Sequence, residues 1–273
     1  MGQMRKHILT LIMIFTLSGC LYETMYKNAD RLALNRLEEL VELDAEQERY
    51  FLTSFADFQV IHQKAYMPDY VRWLTSLEGN WRSLSQSQLR ELGTDIQEHW
   101  ANLSQSMNDP VTKLLVDLNA QQKEELIAAL KKRAEERSKN TSRLERALER
   151  FEDILGDLSV QQRKIVEKYF DETEYYRQVW LLYSQKRINK IESLLANDKA
   201  LTEQERKLLG SYIFNSMQHA PSHILRTRDQ WVEKQLQLML ELRETLTSQQ
   251  QEHVDEYFKK WLGVVNELIQ TKL

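Results

Sequence analysis

Six times along this chain a leucine is followed by a helix-capping residue, two variable residues and a glutamine or glutamate. The copies are Leu43-Asp44-Ala45-Glu46-Gln47, Leu84-Ser85-Gln86-Ser87-Gln88, Leu118-Asn119-Ala120-Gln121-Gln122, Leu158-Ser159-Val160-Gln161-Gln162, Leu201-Thr202-Glu203-Gln204-Glu205 and Leu246-Thr247-Ser248-Gln249-Gln250. The Asp, Asn, Ser or Thr side chain can accept from the N3 amide while the Gln or Glu reaches back to the N-cap amide. That reciprocity defines a capping box. The cap positions fall 34 to 45 residues apart, room for one long helix or one helical hairpin per unit. The predicted fold is all-α: an elongated bundle of long antiparallel helices, each started by a capping box.

The residues behind the boxes agree. Tyr50, Phe51, Phe55 and Phe58 follow the first; Ile165, Val166, Tyr169 and Phe170 follow the fourth; Val254, Tyr257, Phe258 and Trp261 follow the last. Steps of three and four lay an apolar stripe along one helix face. Longer seams, Leu144, Leu148, Phe151, Leu155, Leu158 and Val254, Tyr257, Trp261, Val265, Leu268, are the packing pattern of nearly antiparallel helices. Seven glycines and three prolines in 273 residues are too few for a turn-rich β architecture.

The first residues carry a different signal. Arg5 and Lys6 precede an apolar run, Ile8 to Leu17, that ends in Leu17-Ser18-Gly19-Cys20. A basic start, about ten apolar residues and a small-residue cleavage site make a secretory signal, and the run is too short to span a bilayer. The last four residues resemble the bacterial lipobox, which implies cleavage between Gly19 and Cys20 and lipid attachment at Cys20. Cys20 is the only cysteine in the chain, so an exported body would have no disulfide to form. Leu21, where an Asp commonly retains Gram-negative lipoproteins in the inner membrane, implies the outer membrane, facing the periplasm. The expected organisation is a signal over 1–19, a lipidated tether over 20–35 and an all-α body over 36–273. The body reads as one unit or as two lobes, with a boundary near Ser138–Thr141 or at Asn197-Asp198.

Two resemblances bear on function. The Leu-Thr-x-x-Gln form of the recurring motif, as in Leu246-Thr247-Ser248-Gln249-Gln250 and Leu201-Thr202-Glu203-Gln204-Glu205, resembles periplasmic stress proteins of the Spy and CpxP type. Those are small exported helical proteins, and Spy is an ATP-independent chaperone. Nearly the whole chain also resembles an uncharacterised family of proteobacterial lipoproteins grouped only as a domain of unknown function. That likeness rests on the lipobox, Asn35-Arg36-Leu37, Val41-Glu42-Leu43-Asp44-Ala45-Glu46-Gln47, His62-Gln63-Lys64, Met67-Pro68-Asp69-Tyr70 and the last box. The family tends to show Trp-His-Arg where this chain has Ile61-His62-Gln63. This second resemblance implies an all-α lipoprotein and supplies no activity.

Chemistry-bearing patterns are sparse. His219 and His223 stand four apart, but Pro221 between them argues against one helix carrying both, and no metal site is expected. Paired carboxylates such as Glu38-Glu39, Glu124-Glu125 and Asp171-Glu172 read as solvated helix faces, so no catalytic residue and no cofactor are assigned. A formal net charge of −4 gives no support to nucleic-acid binding. The run Lys131 to Lys139 interleaves bases with Glu135 and Glu136 and reads as a solvated helix or a bend; Arg226-Thr227-Arg228 is similarly ambiguous. One stripe stands out: Tyr169, Phe170, Tyr175, Tyr176, Trp180 and Tyr183. Its functional reading is an apolar groove holding peptide or lipid, lined by Tyr169, Tyr176, Trp180 and Tyr183; its other reading is buried core. The expected role is non-enzymatic. The membrane is met through the N-terminal lipid, and other envelope proteins are bound as partners or clients in a chaperone-like or stress-related role. The alternative is a structural accessory of an envelope transport or cell-wall assembly.

Overall fold

The computed structural model describes residues 21–196 and 200–273, and among these every regular element is helical. Eleven α-helices follow in order: α1 (Ala29–Glu38), α2 (Ala45–Ile61), α3 (Met67–Asn80), α4 (Gln86–Gln105), α5 (Asn108–Asp117), α6 (Ala120–Lys139), α7 (Arg143–Leu155), α8 (Val160–Leu195), α9 (Glu203–Phe214), α10 (Ser222–Glu244) and α11 (Ser248–Gln270). Residues 21–27 are helical as well. Cys20 and Gly19, and the Asn197-Asp198 boundary, lie outside the described residues.

All six boxes form, and they start α2, α4, α6, α8, α9 and α11. The expectation that every helix begins this way does not hold. The remaining five follow residues that make no side-chain cap bond: Asn28, Tyr66, Met107, Ser142 and Pro221. Two of these have a plain physical reason. Helix α3 emerges from a π-turn, His62–Tyr66, in which the Met67 amide donates to the His62 carbonyl five residues back. Pro68 has no amide to offer the carbonyl four residues before it, so the helix is disrupted and widens just ahead of the proline. At α10, Pro221 fixes its own φ and needs no donor at a helix start.

The box glutamines do more than cap. Gln47, Gln122, Gln162 and Gln250 are buried, and they meet in two pairs. Gln47 Nε2 donates to Gln122 Oε1 at 3.1 Å, and Gln122 Nε2 donates back at 2.7 Å. Gln162 and Gln250 exchange the same two bonds, each at 2.9 Å. Every amide donates its second hydrogen to a backbone carbonyl five residues before its partner: Asp117 and Glu42 in one pair, Thr245 and Asp157 in the other. Each oxygen also accepts from the amide of its own cap residue. All donors and acceptors of four buried amides are thereby used, as burial demands. Gln88 and Glu205 close their boxes without such a partner.

Each pair sits beside its own apolar core. Leu34, Val41, Leu43, Phe51, Leu114, Leu118, Leu126, Ile191, Leu195 and Leu209 form one. Trp81, Leu155, Leu158, Val166, Leu238, Leu242 and Val254 form the other. Neither core is a continuous stretch of chain. The 36 residues of α8, about 54 Å long at 1.5 Å per residue, give Val166 to one and Ile191 and Leu195 to the other. Helix α8 also packs along α6 and α10, and α3 packs along α11.

The segment expected as a lipidated tether over 20–35 is described from residue 21 on. Residues 21–35, read as a tether, are helical and docked. The Tyr22 ring packs tilted against that of Trp261 of α11, centroids 5.2 Å apart, and the Tyr26 hydroxyl lies 3.1 Å from His62 Nδ1. Apolar rings on this segment find partners in the body, so it is held against the body.

Candidate functional site

Helix α10 borders three linked cavities. The largest of the three, about 620 Å³, is walled by Leu77 of α3 and Trp81 just beyond its end, Leu89, Leu92 and Ile96 of α4, Phe151 of α7, Leu236 and Met239 of α10, and Phe258 of α11. Three guanidiniums stand on it, those of Arg90, Arg228 and Arg243. Arg90 is paired with Glu233, and Arg228 with Asp229 at 2.8 Å. Arg243 donates to the carbonyls of Leu84 at 2.6 Å and Trp81 at 3.3 Å, which fixes the chain end of α3 to α10. Trp81 is held further by its Nε1 on Asp255 at 2.8 Å and by the Arg82 guanidinium over its ring. The cleft therefore has a rigid floor and a mostly apolar wall. It also has an exposed edge, because Met239 is 53% accessible.

Gln97 and Arg228 are shared with a second cavity of about 270 Å³, lined by Tyr176, Val179, Trp180, Met217, Ile224 and Trp231. Val179 and Ile224 in turn are shared with a third, of about 480 Å³, where Tyr183, Lys186, Arg187, Lys190, His219 and His223 converge. Such chains of concave, largely apolar surface with a few polar groups are where proteins hold ligands and partner segments.

The aromatic stripe divides among these surroundings. Tyr176 and Trp180 line the middle cavity. Tyr183 is buried at the edge of the third, its hydroxyl donating to the Ser216 carbonyl at 2.5 Å. Tyr169 and Phe170 pack on the second core, and Tyr169 accepts a bond from Trp231 Nε1 at 2.8 Å. Tyr175 points outward, 66% accessible. The stripe is thus divided between cavity wall, core and open surface. Trp231, Met217 and Arg187 were not singled out from sequence. Leu89, Leu92 and Ile96, stepping by three and four behind the second box, carried a signal that was there to be read.

His219 lies in the turn before Pro221, and His223 in the first turn of α10, so the two do not share a helix. Among the described residues no group of His, Cys, Asp or Glu is placed to hold a metal. The basic run at the end of α6 is spent on ion pairs, Lys131 with Glu192, Arg133 with Glu39 and Lys139 with Glu135.

A second polar cluster surrounds the π-turn. His62 Nδ1 meets the Tyr26 hydroxyl and its Nε2 the Tyr70 hydroxyl, each at 3.1 Å. Burial, then the nearby His99, holds the His62 pKa below its usual value. Burial pushes both tyrosines up to about 12, with Tyr70 adding to Tyr26 and Asp69 to Tyr70. His99 Nδ1 lies 2.9 Å from Asp69, and the rings of Tyr66, Tyr70 and Trp73 stand within 5.0 Å. The second His99 nitrogen is buried and meets no partner among the described residues. The cluster joins the N-terminal segment, α2, α3 and α4.

Fold and cavities together define a protein that is all-helical among the described residues, built around two glutamine-paired cores, with a row of cavities along α10. Residues 39–211 match DUF6279, a family of unknown function, and the chain belongs to that family. No curated protein and no solved structure matches it.

Proposed function

We propose that this chain is an exported, lipid-anchored, non-enzymatic protein of the outer membrane that binds other envelope proteins through the groove between α4 and α10, in a chaperone-like or stress-related role. The observation that carries the reading is the 620 Å³ cleft, whose apolar walls come from five helices. An amphipathic segment of a partner could lay its apolar side chains there and present acids to the guanidiniums at the edge. The Leu17-Ser18-Gly19-Cys20 sequence supports the anchor. No helix among the described residues is long and apolar enough to cross a membrane, so an acyl group on Cys20 would be what attaches this body.

The test is aggregation of unrelated unfolded proteins in the presence of the whole chain, compared with Met239→Asp. Protection that the variant loses is the expected result, because a carboxylate at an exposed cleft position disrupts apolar docking without touching the core. No protection even at large molar excess overturns the chaperone role. Recovery of one defined envelope partner in a crosslinked pulldown would then assign the structural-accessory role.

A further inference from the structure

The third cavity differs in kind from the cleft. Lys186, Arg187, Lys190, His219 and His223 all face it, and no carboxylate among the described residues lines it. The chain as a whole carries more acids than bases, and most of its helix faces are laced with ion pairs. Yet Lys186, Arg187 and Lys190 have no carboxylate partner among the described residues. Three like charges gathered without a counter-charge repel one another, and a bound anion would relieve that repulsion.

The cluster is also fixed in place. Arg187 Nε and Nη2 donate to the Tyr212 carbonyl at 3.1 and 2.6 Å, which anchors the guanidinium at the C-terminal end of α9. Its Nη1 keeps no partner among the described residues. The Ser211 hydroxyl gives its one hydrogen to the Leu208 carbonyl, so at 2.7 Å it must accept from His219 Nε2. The His219 ring also packs on the Tyr212 ring, their centroids 4.7 Å apart. Helix α10 begins at the same place without a side-chain cap, so its positive end adds to the field.

Behind the charges the surface turns apolar. Val179 and Ile224 form the shared wall with the middle cavity, where Trp180, Met217 and Trp231 continue the slot. A cationic mouth opening onto an aromatic slot suits one chemistry: a negatively charged head joined to an apolar chain. We propose that this pocket binds an anionic amphiphile, with its phosphate or carboxylate among Lys186, Arg187, Lys190 and the two histidines and its chain between Trp180 and Trp231. The site stands apart from the protein-binding reading of the main cleft.

Equilibrium binding of the whole chain to decyl phosphate, inorganic phosphate and decanol tests this. Decyl phosphate should bind at least about tenfold more tightly than either part alone, since charge-assisted bonds and chain burial each contribute a kcal/mol or more. The double variant Lys186→Glu/Lys190→Glu should lose about that factor for decyl phosphate while decanol binding stays unchanged. Both lysines are exposed, so the core is untouched; should the melting temperature fall, Lys186→Gln/Lys190→Gln serves instead. Equal binding by the charge-altered protein, or decyl phosphate no tighter than decanol, overturns the proposal. Displacement by dihexanoyl phosphatidylglycerol assigns a membrane phospholipid as the source. Failure of that diester, with decyl phosphate still bound through the lysines, assigns a soluble monoester or fatty acid.

Discussion

Gln162 and Gln250 hold each other by paired amide bonds, 88 residues apart in the chain and beside the same core. Each closes its own capping box with the same oxygen that accepts from the other. Truncating either one therefore breaks a cap and strands buried groups at once. Gln162→Ala should cost about 2–4 kcal/mol, the sum expected for a lost cap and unsatisfied buried amide and carbonyl groups. Gln88→Ala removes only the reach-back arm of an exposed box and should cost less than about 1 kcal/mol. Thermal melts of the two variants check this, and equal losses would show that the pairing contributes nothing.

Glycine substitutions should split in sign. A Cβ at Gly263 of α11 meets nothing within 4 Å, so Gly263→Ala should stabilise by up to about 1 kcal/mol through helix propensity. At Gly210 of α9 an added Cβ falls on the Asn108 side chain, with its Cγ at 2.8 Å. Asn108 is in turn held by the Thr112 hydroxyl at 3.2 Å, so it cannot swing away without losing that bond. Gly210→Ala should destabilise by about 1–3 kcal/mol, as overpacking does. Denaturant midpoints measure both.

The π-turn cluster makes stability depend on pH at both ends of the scale. The folded protein holds His62 below its ordinary 6.5, so it binds fewer protons there than the unfolded chain. The resulting stability is full above about 6.5 and is lost as pH falls below it. Tyr26 and Tyr70 run the other way. Raised to about 12, they contribute fully below their ordinary 10.0 and progressively less as pH climbs between the two. A melting temperature that falls on both sides is the expected profile, and His62→Gln should flatten the acid side alone.

How much of this was legible follows from the range of each interaction. A capping box joins residues three apart, so all six could be read directly, and the heptad-like seams placed the cores. The pairing of Gln47 with Gln122 spans 75 residues and leaves no local trace. Gln88 carries the same local pattern as the four paired glutamines and stays exposed. The stripe from Tyr169 to Tyr183 shows the same limit on the site. Periodicity put Tyr176, Trp180 and Tyr183 on helix α8, but which rings would face a cavity depended on where Trp231 and Met217 of a distant segment came to rest. The N-terminal segment shows a related limit. Its docking depends on Tyr22 and Tyr26 meeting Trp261 and His62, contacts that span 36 residues or more of chain.

That docking bears on what an anchor at Cys20 would do. A free 15-residue tether would let the body range tens of ångströms from the bilayer, whereas the described helical segment pinned by Tyr22 and Tyr26 would hold an anchored body close. Tyr26→Phe keeps the ring but removes the hydroxyl shared between His62 and the Gln59 carbonyl. Tyr26→Ala removes the ring as well. Hydrogen exchange over residues 21–38 should rise about 5- to 30-fold in Tyr26→Ala, matching 1–2 kcal/mol of lost docking, and less in Tyr26→Phe. Exchange elsewhere should not change. If both variants protect residues 21–38 as the parent does, the contacts of Tyr26 do not hold the segment. Labelled fatty acid should meanwhile be incorporated equally by both variants and not by Cys20→Ala, because acylation would depend on the thiol and docking on the rings that follow it.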